Sequence, residues 1–298
     1  MGLSVNIRGA ALMTVAMVCY TVNDAFMKSL SAEVPFFEAI FIRGVLTSVL
    51  LFILAGYMGH LRIRLKGWDI VFLTLRTLGE VSATYFFINA LFHMPLPNIA
   101  AIMQALPLTV ALAGALFLRE AVGWRRMSAI LVGFLGVMLI VRPGAEGFNL
   151  YALYGLSAVA SVTLRDITTR KVSSGVPSLS VAIVAAVAVT IFGAIGTLQE
   201  EVVSVSPAAM VKLALAAVFI LGGYVASVMV MRSGDIGFIT PFRYTSLVAA
   251  LILGFVVFGD WPDALTLLGA LIVVATGIFT LYRERRVNRR DLRALRAR

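Results

Sequence analysis

Apolar residues fall into ten runs, at about 9–30, 36–57, 68–92, 95–118, 124–141, 149–170, 177–198, 207–231, 238–258 and 263–282, with short polar breaks between them. Each run is close to the roughly 20 residues with which a helix crosses the hydrocarbon of a bilayer. Short breaks suit antiparallel neighbours in a bundle. The pattern predicts an all-α integral membrane protein with ten transmembrane helices.

The polar positions repeat. TVNDAFMKSLSAEVP, Thr21 to Pro35, and TLRDITTRKVSSGVP, Thr163 to Pro177, align at an offset of 142 residues. Asp24 meets Asp166, Lys28 meets Arg170, Ser31 meets Ser173, and Val34-Pro35 meets Val176-Pro177. Further on, Gly114 aligns with Gly254 and Glu120 with Asp260 at an offset of 140. The register pairs the first run with the sixth, so each half holds five crossings. An odd number of crossings turns the second half upside down in the membrane. The expected organisation is two inverted five-helix repeats, 1–145 and 146–282, followed by a basic tail, 283–298. Inverted repeats are a common plan of secondary transporters, whose substrate site lies near the midplane between the halves.

Charge sets the orientation. With a cytoplasmic N-terminus, 18 of the 25 Lys and Arg residues lie on inside segments, and only Lys28 and Arg142 lie outside. Glu33, Glu146, Glu200, Glu201, Asp260 and Asp263 all fall outside. Basic residues concentrate on the cytoplasmic side of membrane proteins, so both termini are expected there. Composition agrees, at 60% hydrophobic and 13% charged, with a mean hydropathy of +0.97; soluble domains carry about 25% charged residues.

The net charge of +10 does not point to nucleic acid, because eight arginines crowd into the last 16 residues. Such a tail is expected to rest on anionic lipid. Cys19 is the single cysteine, so neither an intrachain disulfide nor a thiolate metal site is expected. His60 and His93 have no ligand-like neighbours. No phosphate loop, HExxH or nucleophile elbow occurs, and neither an enzyme nor a cofactor is expected. The first run carries Asn23 and Asp24 and lacks a small-residue cleavage site, which argues against a cleaved signal peptide. A homodimer is left open.

Several stretches resemble the EamA-type branch of the drug/metabolite transporter superfamily: ND-x3-K in run 1, FFEAIFIRG in run 2, FLREAVGWRRMSAILVGFLGVMLIVRPG through run 5, RDITTRK in run 6, ITPFRYTSLVAALILGFVVFGDWPD in run 9 and LLGALIVVATGIFTLY in run 10. The ND-x3-K, FEAIFIR and PFRY stretches are most similar to bacterial uptake carriers for riboflavin and for S-adenosylmethionine. The resemblance implies a bacterial inner-membrane carrier of a small molecule, riboflavin first and S-adenosylmethionine second. Spans 1, 3, 4, 6, 8 and 9 would surround its cavity, with spans 5 and 10 packed outside. Export of amino acids or drug-like metabolites is the alternative within transport. An intramembrane enzyme or receptor is the alternative of a different class.

Charges inside a bilayer are costly unless paired or hydrated, and so mark candidate sites. Asp24 has two candidate partners, Lys28 one turn on and Arg43 at a similar depth on the second span. Asp166 could take Arg170 locally, or Arg243 or Arg76 at a distance; Arg165 lies beside it. Glu80 is the deepest acid. It could pair with Arg76 one turn away, or serve as a proton- or substrate-binding carboxylate. Pro107 and Pro241 each remove a backbone hydrogen bond and can kink their spans. The offset of 140 sets Gln104 opposite Tyr244, so Gln104, Thr240, Arg243 and Tyr244 are candidate cavity donors and acceptors. Tyr85, with Phe86, Phe87 and Asn89, supplies aromatic surface that either packs or stacks on a heterocycle. Asn23, beside Asp24, completes the set.

Inversion places Asp24 near the outer mouth and Asp166 near the inner one, as anchors of two polar clusters that open in alternation. Replacing either Asp with Asn is expected to slow transport while leaving the protein folded and inserted, which uptake by reconstituted vesicles measures.

Overall fold

The computed structural model describes residues 2–58, 67–118, 123–142, 149–173, 175–201, 203–231 and 239–296, except for the side chains of 2–5, 231 and 284–296. The side chains of the basic tail beyond Arg283 therefore lie outside the described residues, as do the loop charges at Arg62, Arg64, Lys66, Arg119, Glu120, Glu146 and Arg232.

Among the described residues every regular element is helical. The elements are α1 (Gly2–Ser29), α2 (Phe36–Met58), α3 (Asp69–His93), α4 (Leu96–Met103), α5 (Leu106–Phe117), α6 (Trp124–Val141), α7 (Tyr151–Thr169), α8 (Ser178–Thr197), α9 (Pro207–Met231), α10 (Thr245–Phe258) and α11 (Ala264–Arg296), with a 3-10 turn, Thr240–Tyr244, before α10. Nine spans among the described residues are long and apolar enough to cross a membrane. The tenth, α7, has 19 residues but carries Arg165, Asp166 and several hydroxyls, which lower its hydropathy. It lies against α3, α4 and α5.

Two spans are broken, each next to a proline. The fourth is split into α4 and α5 at Gln104 and Ala105. Pro107 has no N–H to give to Met103, and its ring crowds that carbonyl. The ninth span opens with the 3-10 turn that contains Pro241.

The main packing partners all lie in opposite halves: α1 along α9, α2 along α8, α3 along α7, α6 along α11, and α4 against α10. In span numbers these are 1 with 8, 2 with 7, 3 with 6, 5 with 10 and 4 with 9. Exchanging span n with span n+5 returns the same set, as a twofold relation between the halves requires. Each pair runs antiparallel: along α1 and α9, Tyr20 meets Ser227 and Phe26 meets Phe219. Two hydrogen bonds join positions 142 residues apart, Ser48 to Thr190 at 3.2 Å and Gln104 to Ser246 at 3.0 Å. A residue can touch its own repeat equivalent only near the axis that relates the halves. These bonds therefore locate the pseudo-twofold, through α2 and α8 on one side and through α4 and α10 on the other.

Large apolar residues such as Ile53, Leu135, Val256 and Leu271 are exposed on the outside of the bundle. This suits a surface whose solvent is lipid. Trp68, Trp124 and Trp261 are exposed at or beside helix ends, where aromatic residues anchor at the membrane interface.

The α6–α11 contact is tight enough to exclude any side chain at its centre. A Cβ on Gly136 would sit 2.9 Å from the Gly269 carbonyl oxygen, and one on Gly269 would sit 2.6 Å from that of Gly136. Backbone cannot yield as a side chain can. Gly136→Val or Gly269→Val is expected to cost about 1–3 kcal/mol, seen as a lower thermal midpoint of the detergent-solubilised protein.

Candidate functional site

Most of the ionisable groups inside the bundle gather into two clusters, one within the first half and one bridging the halves. The first joins α1 and α2. Asn23 donates from Nδ2 to Asp24 Oδ1 at 2.9 Å and accepts at Oδ1 from Arg43 Nη1 at 3.3 Å. The Arg43 guanidinium also interacts electrostatically with the Asp24 carboxylate. Asn23 and Arg43 are buried. Lys28 is drawn elsewhere: its ammonium donates to the carbonyls of Met94 at 2.6 Å and Leu91 at 3.3 Å, and lies over the ring of Phe258. It thus caps the end of α3 instead of forming the expected pair with Asp24. The reason is chemical: the last carbonyls of a helix have no partners within it, and a long flexible cation can reach them.

The second cluster joins α3 and α7. Arg165 donates from Nε to Asp166 Oδ1 at 2.9 Å, and its Nη1 lies 3.3 Å from Glu80 Oε1. The other oxygen of Glu80 lies 3.5 Å from Arg76 Nη2. Glu80 is therefore held between two arginines on different helices, not by Arg76 alone. The close approach of α3 and α7 makes this possible. A Cβ on Gly79 would lie 3.0 Å from the Ser161 carbonyl oxygen and 3.1 Å from the Arg165 nitrogen. Asp166 takes its hydrogen bond from Arg165, its chain neighbour, and also interacts electrostatically with Arg76, one of its expected candidates.

The two clusters echo one another through the repeat. Asn23-Asp24 and Arg165-Asp166 stand 142 residues apart, and in each the first side chain donates to the carboxylate of the second at 2.9 Å.

Tyr20, on α1 one turn before Asp24, is a residue that sequence reasoning missed. Its hydroxyl shares a hydrogen bond with Ser227 Oγ at 3.3 Å, and it interacts electrostatically with Arg165, Glu80 and Arg243. Tyr224, also missed, stands near Arg76 and Tyr20. The buried Arg76 Nε and Nη1, Tyr224 hydroxyl and Tyr244 hydroxyl have no hydrogen-bond partner among the described residues. The available signal was polar spacing on α9, where Tyr224 and Ser227 sit three residues apart in its otherwise apolar second half.

The remaining expected residues separate. Gln104 donates to Ser246 Oγ at 3.0 Å and to the Ala100 carbonyl at 3.3 Å. The side chain it meets across the halves is Ser246, two residues from the expected Tyr244. Tyr244 is buried against the backbone at Gly277. Thr240 and Arg243 lie on the 3-10 turn. Tyr85 belongs to an aromatic cluster with Phe36, Phe37, Phe86, Tyr154 and Phe192, at ring separations of 5.3–6.5 Å. That cluster fills the end of the bundle where α2 begins and α3 ends.

The same end, which charge counting assigns to the outside, is tied across the halves. Lys212 Nζ lies 2.6 Å from Glu33 Oε1, and Glu200 Oε2 accepts from the Phe37 backbone N–H at 2.9 Å. Glu38 Oε2 accepts from the Val203 N–H at 3.3 Å, and Arg142 pairs with Asp263. No group of three or more metal-ligating side chains occurs among the described residues.

The EamA-like transporter family model matches this chain twice, over residues 7–142 and 149–282. The chain is 27% identical to the S-adenosylmethionine uptake transporter of Rickettsia bellii, over 93% of this chain and 94% of that one. It is also 27% identical to the pseudopaline exporter of Pseudomonas aeruginosa, over 91% and 94%. It is 27% identical to the riboflavin transporter of Vibrio cholerae, over 79% and 78%. A solved crystal structure, 21% identical, shares the fold with a TM-score of 0.62 over 94% of this chain and 98% of that one. The chain belongs to the EamA-like transporter family; it is a multi-pass membrane transporter and not an enzyme.

Glu80→Gln would leave two arginines facing one another. The expected loss is about 1–3 kcal/mol of stability, less than for a fully buried network because Glu80 keeps 24% of its side-chain exposure. Thermal unfolding in detergent reads it. Glu80→Gln combined with Arg165→Gln should recover part of the loss.

Proposed function

We propose that this transporter carries a small heterocyclic metabolite across the bacterial inner membrane by alternating access between its inverted halves, with S-adenosylmethionine ahead of riboflavin as cargo. The observation that carries this reading is the pair of repeat-related polar clusters at the interface of the halves. A neutral flavin needs no such density of ionised groups, whereas a zwitterionic sulfonium compound offers a partner to each sign. Similarity supports the same order: the likeness to the S-adenosylmethionine carrier runs over nearly the whole of both chains, that to the Vibrio riboflavin carrier over about four-fifths.

In this reading residues 1–145 and 146–282 are the two moving bodies, both termini are cytoplasmic, and the tail 283–298 rests on anionic lipid. Asn23, Asp24 and Arg43 form the outer gate, and Arg76, Glu80, Arg165 and Asp166 the inner one. The ties Glu33–Lys212 and Glu200–Phe37, which cross the halves, support a conformation shut at its outer end.

Export is the second reading, favoured by the likeness to the pseudopaline exporter. Proteoliposomes given labelled S-adenosylmethionine, riboflavin or aromatic amino acids, with and without an imposed proton gradient, separate these readings. Saturable accumulation of S-adenosylmethionine is expected. Transport confined to amino acids, or seen only from the cytoplasmic face outward, would support export instead.

A further inference from the structure

Among the described residues, the charges in and near the two clusters do not balance. Four arginines, Arg43, Arg76, Arg165 and Arg243, face three carboxylates, Asp24, Glu80 and Asp166. Three of the arginines are engaged: Arg76 with Glu80, Arg165 with Glu80 and Asp166, and Arg43 through Asn23 with Asp24. Arg243 meets no carboxylate among the described residues; the groups that feel its charge are the phenols of Tyr20 and Tyr244. It is half-buried and sits on the 3-10 turn of the broken ninth span. The buried hydroxyl of the adjacent Tyr244 has no hydrogen-bond partner among the described residues either. Inside a membrane protein an unpaired guanidinium is costly. Its planar fork matches a carboxylate with two parallel hydrogen bonds.

We propose that the cavity recognises its cargo through a carboxylate seated on Arg243, which the cargo neutralises on binding. This inference rests on the transport reading and narrows its substrate class: carboxylated compounds bind, and their uncharged or decarboxylated counterparts bind poorly. The other three arginines are already engaged, and Arg243 is the residue left for the ligand. Tyr20 interacts electrostatically with both Arg243 and Glu80, which links Arg243 to the second cluster.

The test uses the purified full-length protein in detergent, with ligand affinity read from the shift of its thermal midpoint. The probes are matched pairs: S-adenosylmethionine with decarboxylated S-adenosylmethionine, and phenylalanine with phenylalaninamide. Riboflavin and inorganic phosphate are added singly. In the wild type the carboxylated member of at least one pair should bind about tenfold tighter or more, as a charge-assisted hydrogen bond supplies. Arg243→Gln should abolish that preference, and Arg243→Lys should weaken it without removing it. If Arg243→Gln does not fold, the Lys variant and the wild-type pairs decide. Equal binding within both pairs, no binding by any carboxylate, a preference that survives in Arg243→Gln or is undiminished in Arg243→Lys, or phosphate binding above the carboxylates would each overturn the proposal. Binding of riboflavin alone would also overturn it, while leaving heterocycle transport in place. A phenylalanine preference without adenosyl binding would uphold Arg243 and remove S-adenosylmethionine as cargo.

Discussion

Ionised side chains cannot face hydrocarbon, and most of this architecture follows from where they can go instead. Asp24, Arg43, Arg76, Glu80, Arg165, Asp166 and Arg243 all lie on spans of a chain that is 60% hydrophobic. A charge at the bilayer centre costs several kcal/mol unless it is paired or hydrated, so these groups must meet one another or water. They meet on α1, α2, α3, α7 and the 3-10 turn, the elements that line the interface between the halves. The outer helices α6 and α11 carry no such burden in their spans, and they pack through glycine at backbone distance.

The inverted repeat makes that interface usable from both sides. With every main helix pair drawn from opposite halves, the halves can shift only by changing contacts along shared antiparallel seams. Hydrogen bonds between equivalent residues, Ser48 with Thr190 and Gln104 with Ser246, mark places where a twofold relation leaves the neighbours unchanged. The clusters off the axis are those whose surroundings differ between the halves. One is tied by Asn23 and the other by Arg165, at equivalent positions with different chemistry. Arg43 enters the first cluster from span 2, a helix outside the set that the family resemblance places around the cavity.

Much of the fold was legible in one dimension. Hydropathy depends on composition within a run, and it yielded the ten spans, including the polar α7. The repeat depends on register, and ND-x3-K against RD-x3-R was enough to pair span 1 with span 6. Pro107 and Pro241 named the two broken spans because a missing N–H acts locally. The candidate site was less legible. Asp24 and Lys28 are one turn apart and of opposite sign, yet Lys28 turns to the carbonyls of Leu91 and Met94. Tyr20 and Tyr224 drew no notice, since a tyrosine in an apolar run reads as packing until its neighbours are known.

The sequence by itself determined the membrane class, the number of crossings, the inversion of the second half and the residues too costly to leave in lipid, because these are properties of runs, parity and spacing. Only the tertiary structure decided who pairs with whom. Glu80 and Arg165 stand 85 residues apart in the chain, and they meet because Gly79 lets α3 and α7 close to backbone contact. Arg243 is left over for the same reason: pairing is settled by which helices touch, and its helix touches no free acid among the described residues.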